Sequence, residues 1–166
     1  GRAPIEGPER TAMHSLAVAI RGLASAMVDR DLPPDVANHA ASVIGVLTEH
    51  VSSAPKRDFE TDRYHSTGFV DFSPVSGLAN PVSPPLNMWQ EADGSVSATT
   101  VSSGAFEGPP AHVHGGVLAA AFDEVLGLAQ LACGLAGMTG RLTIHYRRPT
   151  PIGVEVRFAA RITSVS

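Results

Sequence analysis

The stretch AHVHGGVLAAAFDEVLGLAQLACG, from Ala111 to Gly134, sets two carboxylates inside a helix-length apolar run. Asp123 and Glu124 are the only charged residues between Val117 and Ala136. A carboxylate buried without partners is costly and tends to take up a proton instead, so this position is kept for a reason. An ionised acid in a dry site can act as general base or as nucleophile. The alternative is a purely structural acid fixed by a hydrogen bond across a chain contact. The helical neighbours of Asp123 are Ala119, Ala120 and Gly127, all small. They leave room for a substrate, or equally for tight packing. Glu124 is turned about 100° further round the helix and faces elsewhere. His112 and His114 stand just ahead of the run and raise metal ligation together with Asp123. No tight ligand set accompanies them, and a single cysteine, Cys133, gives no thiolate pair, so no metal is expected. Cys133 is expected as a small buried hydrophobe.

The elements that must hold these residues separate by texture. The 166 residues suit one domain, or one domain with a helical extension. Hydrophobic residues make up 43% and charged residues 17%, enough apolar material for a core. The net charge of −4 is spread without a basic patch, so nucleic acid is not an expected partner. One cysteine excludes an intrachain disulfide and fits a cytoplasmic location. The opening GRAPIEGPER has no signal-peptide pattern and is read as a processed, tagged or trimmed terminus. The apolar run contains Asp123, Glu124 and Gln130 and is interrupted by Gly127 and Gly134, so it is not read as a membrane span. A soluble protein is expected.

Residues 1–57 form a helical extension. Met13, Leu16, Ala17, Ile20, Leu23, Ala24 and Met27 share one helix face. After DLPPD, a second helix starts at Pro34 and Asp35, with Val36, Ala40, Val43, Ile44, Leu47 and Val51 on its face. Together they predict a helical hairpin covering a sheet or a dimer surface. Residues 58–85, with SPVSGLANPVSPP, form a linker or a substrate-covering lid. Residues 86–166 alternate. Leu86–Gln90 and Ser95–Ser103 predict strands around the turn EADG, with Trp89 and Phe106 in the core or a pocket wall. Beyond the apolar run, RLTIHYRR and the segment Val154–Thr163 predict an adjacent antiparallel pair around PTPIG. The apolar run is expected as one helix from Gly115 to about Leu135, buried on most sides. The fold class is α+β, an antiparallel sheet wrapped around a long central helix.

HGG, an acid nine positions after its histidine, and a strand ending YRRPTP together resemble the hot-dog-fold acyl-CoA thioesterases. The branch most similar is the phenylacetate-degradation and thioesterase-superfamily-member group. The resemblance covers roughly Leu86 to Ser166, and EGPPAHVHGG with FDEVLG is its most specific part. It implies that Gly115, with Gly116 beside it, offers backbone N–H groups at a helix start as an oxyanion hole. It implies that Asp123 is the catalytic carboxylate, with Glu124 its rival. His114 would orient the acid or the carbonyl, with His112 beside the substrate. Thr139 falls where relatives place a Ser or Thr that reaches the partner subunit's acid, positioning the attacking water, or is a turn residue before a strand in GMTGRL. Arg147 and Arg148 would bind the coenzyme A phosphates, or form a solvated strand edge.

Two departures stand out. Some relatives carry Asn or Gln six positions before the histidine, where this sequence has Gly108. A hot-dog sheet has five or six strands and about four are legible here, so either the last strands are missing from this sequence or the N-terminal region or a partner compensates. The implied activity is hydrolysis of an acyl-CoA thioester to a carboxylic acid and coenzyme A. It needs no cofactor and places the protein in fatty acid metabolism as a homodimer or homotetramer with shared sites. A non-catalytic acyl-CoA-binding module is the alternative. An acyl-CoA hydratase of the same fold ranks third, because its Asp and His pair has a different local pattern.

Overall fold

The segment VSATTV has β-branched or small residues at every position, which suits a strand packed on both faces. In the computed structural model, which describes residues 7–56, 71–135 and 137–164, it is the central strand of a three-stranded antiparallel sheet. Strand β1 spans Asn87–Gln90, β2 Val96–Val101 and β3 Glu155–Ala160, in the order β1-β2-β3. The register opposes Met88 to Ala98 on one side of β2, and Ala98 to Phe158 on the other. The EADG turn closes β1 onto β2. Glu91 N–H donates to Ser95 O at 2.8 Å, and Gly94 takes the positive φ of 84° that the tight reversal requires.

Helices α1 (Pro8–Val28) and α2 (Pro34–Ser52) precede the sheet, and α3 (Gly115–Ala132) crosses it. Ala121, Val125 and Ala129, at four-residue spacing, put one stripe of α3 on the sheet. They pack with Leu86, Val96, Ala98, Phe158 and Ala160 to form the core. Phe122 meets Phe158 edge to face, with ring centroids 5.1 Å apart. Each large side chain in this cluster contributes about 1.5–3 kcal/mol by leaving water.

Helices α1 and α3 are both long and apolar enough to cross a membrane by length and composition. In this chain α3 instead lies on the sheet. Helix α1 is tied down by Arg10, which forms an ion pair with Asp71, and it packs on the 3-10 turn Gly104–Phe106. The Asp29 carboxylate lies against the backbone at Gly104, so a side chain there would have to displace it. Helix α2 buries none of its residues, and its apolar face, with Val46, Leu47 and Val51, stands in the open.

Three expectations are corrected. The alternating segment 141–148 joins no sheet. It makes no backbone hydrogen bond to any described residue, and β3 pairs with β2 instead. β3, the expected partner, gives one edge to β2, and its other edge pairs with no described residue. Leu142 and Ile144 are still half-buried while Thr143, His145 and Arg147 are exposed, so the two-faced character survives. Second, α3 is not enclosed on most sides. Three strands cover one stripe, leaving Phe122, Leu126 and Leu131 exposed, and the helix stops at Ala132. Third, Cys133 caps the end of α3 and is exposed rather than buried. Trp89 is also outside the core. It donates to Glu91 Oε1 at 2.9 Å and lies under the Arg157 guanidinium.

Residue 57 and the first part of the linker, residues 58–70, lie outside the described residues. Its second part is packed. Asp71, Ser73, Ser76, Ala79 and Ser83 are all buried, and the loop is fastened to α3 at Glu124.

Candidate active site

The start of α3 is set by hydrogen bonds on both sides of the loop before it. Val113 N–H donates to Thr150 O at 2.8 Å and Ile152 N–H to Ala111 O at 3.1 Å, joining the loop to PTPIG. His112 bridges to Pro151, and its Nδ1 lies 2.8 Å from Pro110 O. Ala111 takes a left-handed φ of 62°, a strained conformation for a non-glycine residue. Its N–H is accepted by the Glu107 carboxylate. On the other side, His114 N–H donates to Phe106 O at 2.9 Å.

The first amides of α3 are therefore accounted for one by one. Gly116 N–H donates to His114 Nδ1 at 3.0 Å, so the imidazole caps its own helix. That bond requires Nδ1 without a proton and leaves the neutral ring's proton on Nε2. Val117 and Leu118 both donate to His114 O. Among the described residues, Gly115 N–H donates to no acceptor. The sequence offered both glycines as oxyanion donors; the structure leaves Gly115 N–H open and occupies that of Gly116. The Gly115 carbonyl accepts the Tyr146 hydroxyl at 2.8 Å, a contact with no signal in the sequence pattern.

Gly108, the departure from the relatives' Asn or Gln, is explained by the same histidine. A Cβ at Gly108 would lie 2.8 Å from His114 Cα and 3.1 Å from the ring's Cδ2. The imidazole occupies the space that a side chain at position 108 would need.

Asp123 lies on the outward face of α3, opposite the stripe packed on the sheet. Thr139 Oγ1 donates to its Oδ1 at 2.6 Å. The two residues were brought together by resemblance alone, with Thr139 expected to reach a partner's acid. Here it reaches the acid of its own chain, because residues 137–142 fold back along α3. The pair borders an open cavity of about 410 Å³ with Gln130, Arg141, Leu142 and Ile162. Glu124 is a different case. Its carboxylate accepts the Ser73 hydroxyl at 2.6 Å and the Ser76 hydroxyl at the same oxygen. It is the clasp of the serine-rich loop, and the sequence did not mark those serines. Arg147 and Arg148 are exposed on the unpaired segment. Among the described residues, no group of three or more His, Cys, Asp or Glu gathers as a metal site.

Gly115 and Asp123 are not neighbours within one chain. Eight residues of helix separate them by about 12 Å along the axis.

A profile of the thioesterase superfamily matches residues 111–166. Over 60 residues, 36% of this chain, the sequence is 37% identical to acyl-coenzyme A thioesterase THEM4 of Xenopus laevis. The matched part spans 27% of that relative's length. A crystal structure of a thioesterase superfamily protein aligns over 99% of this chain and 84% of its own, with a TM-score of 0.76 and 32% sequence identity. With that identity over nearly the whole chain, and with an antiparallel sheet packed on a long helix, the chain belongs to the thioesterase superfamily and has its α+β hot-dog fold.

Proposed function

We propose that this chain is an acyl-CoA thioesterase of the phenylacetate-degradation and thioesterase-superfamily-member branch. It adds water across a thioester to release a carboxylic acid and the thiol of coenzyme A. The observation that carries the reading is the open Gly115 N–H, in a turn where every neighbouring amide has an acceptor. A thioester carbonyl placed there gains negative charge in the transition state. A donor already aimed at it, at the positive end of a helix, stabilises that charge without reorganisation.

Asp123 supplies the second half of the reaction. Its carboxylate takes a proton from the attacking water, or attacks the carbonyl carbon and is released by water in a later step. Thr139 holds one carboxylate oxygen and leaves the other for water or substrate. The separation of about 12 Å along α3 means that Gly115 and Asp123 of one chain do not share one carbonyl. Two copies with α3 helices side by side and antiparallel bring the Gly115 of each toward the Asp123 of the other. The outward face of α3 suits such an approach, with Gly116, Ala119, Ala120 and Gly127 around Asp123. A homodimer, or a tetramer of two such dimers, is the working assembly. Arg147 and Arg148, exposed and next in sequence to Tyr146, which reaches Gly115 O, bind the nucleotide phosphates in this reading. The single cysteine suits a cytoplasmic location.

A panel of acyl-CoA esters, from acetyl to palmitoyl and including phenylacetyl, with detection of the free thiol, tests the reading. Turnover of at least one ester supports it. Binding of esters without turnover identifies a non-catalytic acyl-CoA-binding module instead.

A further inference from the structure

Arg21 sits on α1, far in sequence from the Gly115 and Asp123 machinery, and spends its guanidinium on neutral groups. Nη1 donates to Asn80 O at 2.8 Å and Nη2 to Leu78 O at 3.1 Å. A guanidinium has five N–H donors, so three remain. Partial burial pushes its pKa below the ordinary arginine value, and no carboxylate among the described residues opposes that charge. The acids on the adjoining elements are engaged elsewhere. Asp71 holds Arg10 and His14, and Asp29 accepts the Ser25 hydroxyl beside Gly104. A half-buried cation with no counter-charge among the described residues lacks the partner that desolvation calls for.

The same arginine lines a groove of about 580 Å³ between α1, the loop before Pro85 and the end of β2. Volumes of roughly 300–1,000 Å³ accept small organic ligands. The apolar part of the groove wall is Val18, Leu78, Pro85, Val101 and Phe106, and His14, Ser25 and Ser103 line it beside Arg21. A cation with no acid opposite it among the described residues, beside an apolar trough, is complementary to an anion that carries an apolar tail.

We propose that this groove binds an amphipathic monocarboxylate, a free organic acid with an alkyl or aryl tail. Its carboxylate takes the unspent N–H groups of Arg21, and its tail lies along Val18, Leu78, Pro85, Val101 and Phe106. The Phe106 carbonyl accepts His114 N–H, so an acid in the groove packs on the loop that delivers His114 and Gly115. If the thioesterase reading holds, the ligand is of the same chemical class as the released product, and the groove is a second place for that product to act. Binding itself does not depend on that reading.

Calorimetric titration of the intact chain with octanoate, and with octanamide as its uncharged counterpart, tests the site directly and needs no turnover. Octanoate is expected to bind, with octanamide weaker by roughly tenfold or more, the worth of a charge-assisted hydrogen bond. Arg21→Gln keeps a donor for the loop carbonyls but removes the charge. Val18→Glu adds a repelling carboxylate at a position 61% exposed, where the fold is not at stake. Both variants should weaken octanoate by a similar factor while melting as the parent does. Asp123→Asn should leave octanoate binding unchanged, which separates the groove from the candidate active site. Equal affinity for acid and amide overturns the proposal. So does unchanged octanoate binding in both groove variants, or loss of binding in Asp123→Asn alone. No octanoate binding at millimolar concentration also overturns it. An inactive acyl-CoA panel would sink the thioesterase reading and leave these binding results standing.

Discussion

Thr139 Oγ1 donates to Asp123 Oδ1 at 2.6 Å, joining the stretch after α3 to the outward face of the helix itself. A hydroxyl that donates to a carboxylate fixes its rotamer. It also marks Asp123, rather than Glu124, as the acid facing a cavity.

Asp123→Asn keeps size and hydrogen bonding but removes charge and basicity. Turnover of the best acyl-CoA ester should fall by about a hundredfold or more, with substrate binding near normal. Thr139→Ala should cost about tenfold, the worth of one hydrogen bond to a charged group. Steady-state kinetics on both variants, with folding followed by circular dichroism, decides it. Full activity in Asp123→Asn would move the chemistry away from this residue.

Gly108→Ala places a methyl group 2.8 Å from His114 Cα, inside contact distance. The His114 backbone must shift, and the ring's cap on Gly116 N–H shifts with it. Overpacking of this kind costs about 1–3 kcal/mol. The expected result is lower thermal stability together with reduced turnover. A variant with parental melting and kinetics would remove His114 from the helix-start design.

Glu124→Ala leaves Ser73 and Ser76, both buried, without their shared acceptor. Stranded buried hydroxyls should lower stability by about 2 kcal/mol. Glu124→Gln still offers an amide oxygen to one serine and should cost less. Chemical denaturation of the pair measures the difference. Activity per folded molecule should change far less than in Asp123→Asn.

Assembly should be visible without any substrate. Leu126 and Leu131 on α3 and the unpaired segment 141–148 leave apolar surface and free backbone groups in a single chain. Sedimentation at micromolar concentration should show a dimer or larger species. A monomer at every concentration would leave each Gly115 about 12 Å along the helix from its only Asp123 and defeat the shared site.

The β1–β2 turn should set part of the acid stability. Hydrogen bonds from Ser97 and Trp89 hold the Glu91 carboxyl below its ordinary value, and those from Ser95 do the same for Asp93. Both groups have folded pKa values lower than unfolded ones. Their contribution is therefore complete above the unfolded range, near pH 4, and is lost as pH falls through the folded values. Stability should decline below about pH 4, and more gently in Glu91→Gln with Asp93→Asn. Denaturation midpoints between pH 3 and 6 would show an unchanged slope if these bonds carry no weight.

The local patterns in the sequence were sufficient for the helices and the hairpin. Three-four spacing located α1 and α2, EADG located the β1–β2 turn, and the length of the apolar run located α3. These are properties of the chain over one or two turns, where spacing and propensity act directly. HGG and the acid nine positions on were legible for the same reason, since both lie on or beside one helix. Strand pairing was not legible. Arg141–Arg148 and Glu155–Ala160 alternate equally well, and only the packing of β2 between β1 and β3 decides which one joins the sheet. The roles of the two adjacent carboxylates were undecided in the same way. Periodicity sets Asp123 and Glu124 about 100° apart. Only tertiary contacts assign one to Thr139 beside a cavity and the other to Ser73 and Ser76. The open amide at Gly115 belongs to this class too. An N–H is unpaired only when every acceptor around it is committed elsewhere, which is a fact about neighbours distant in sequence.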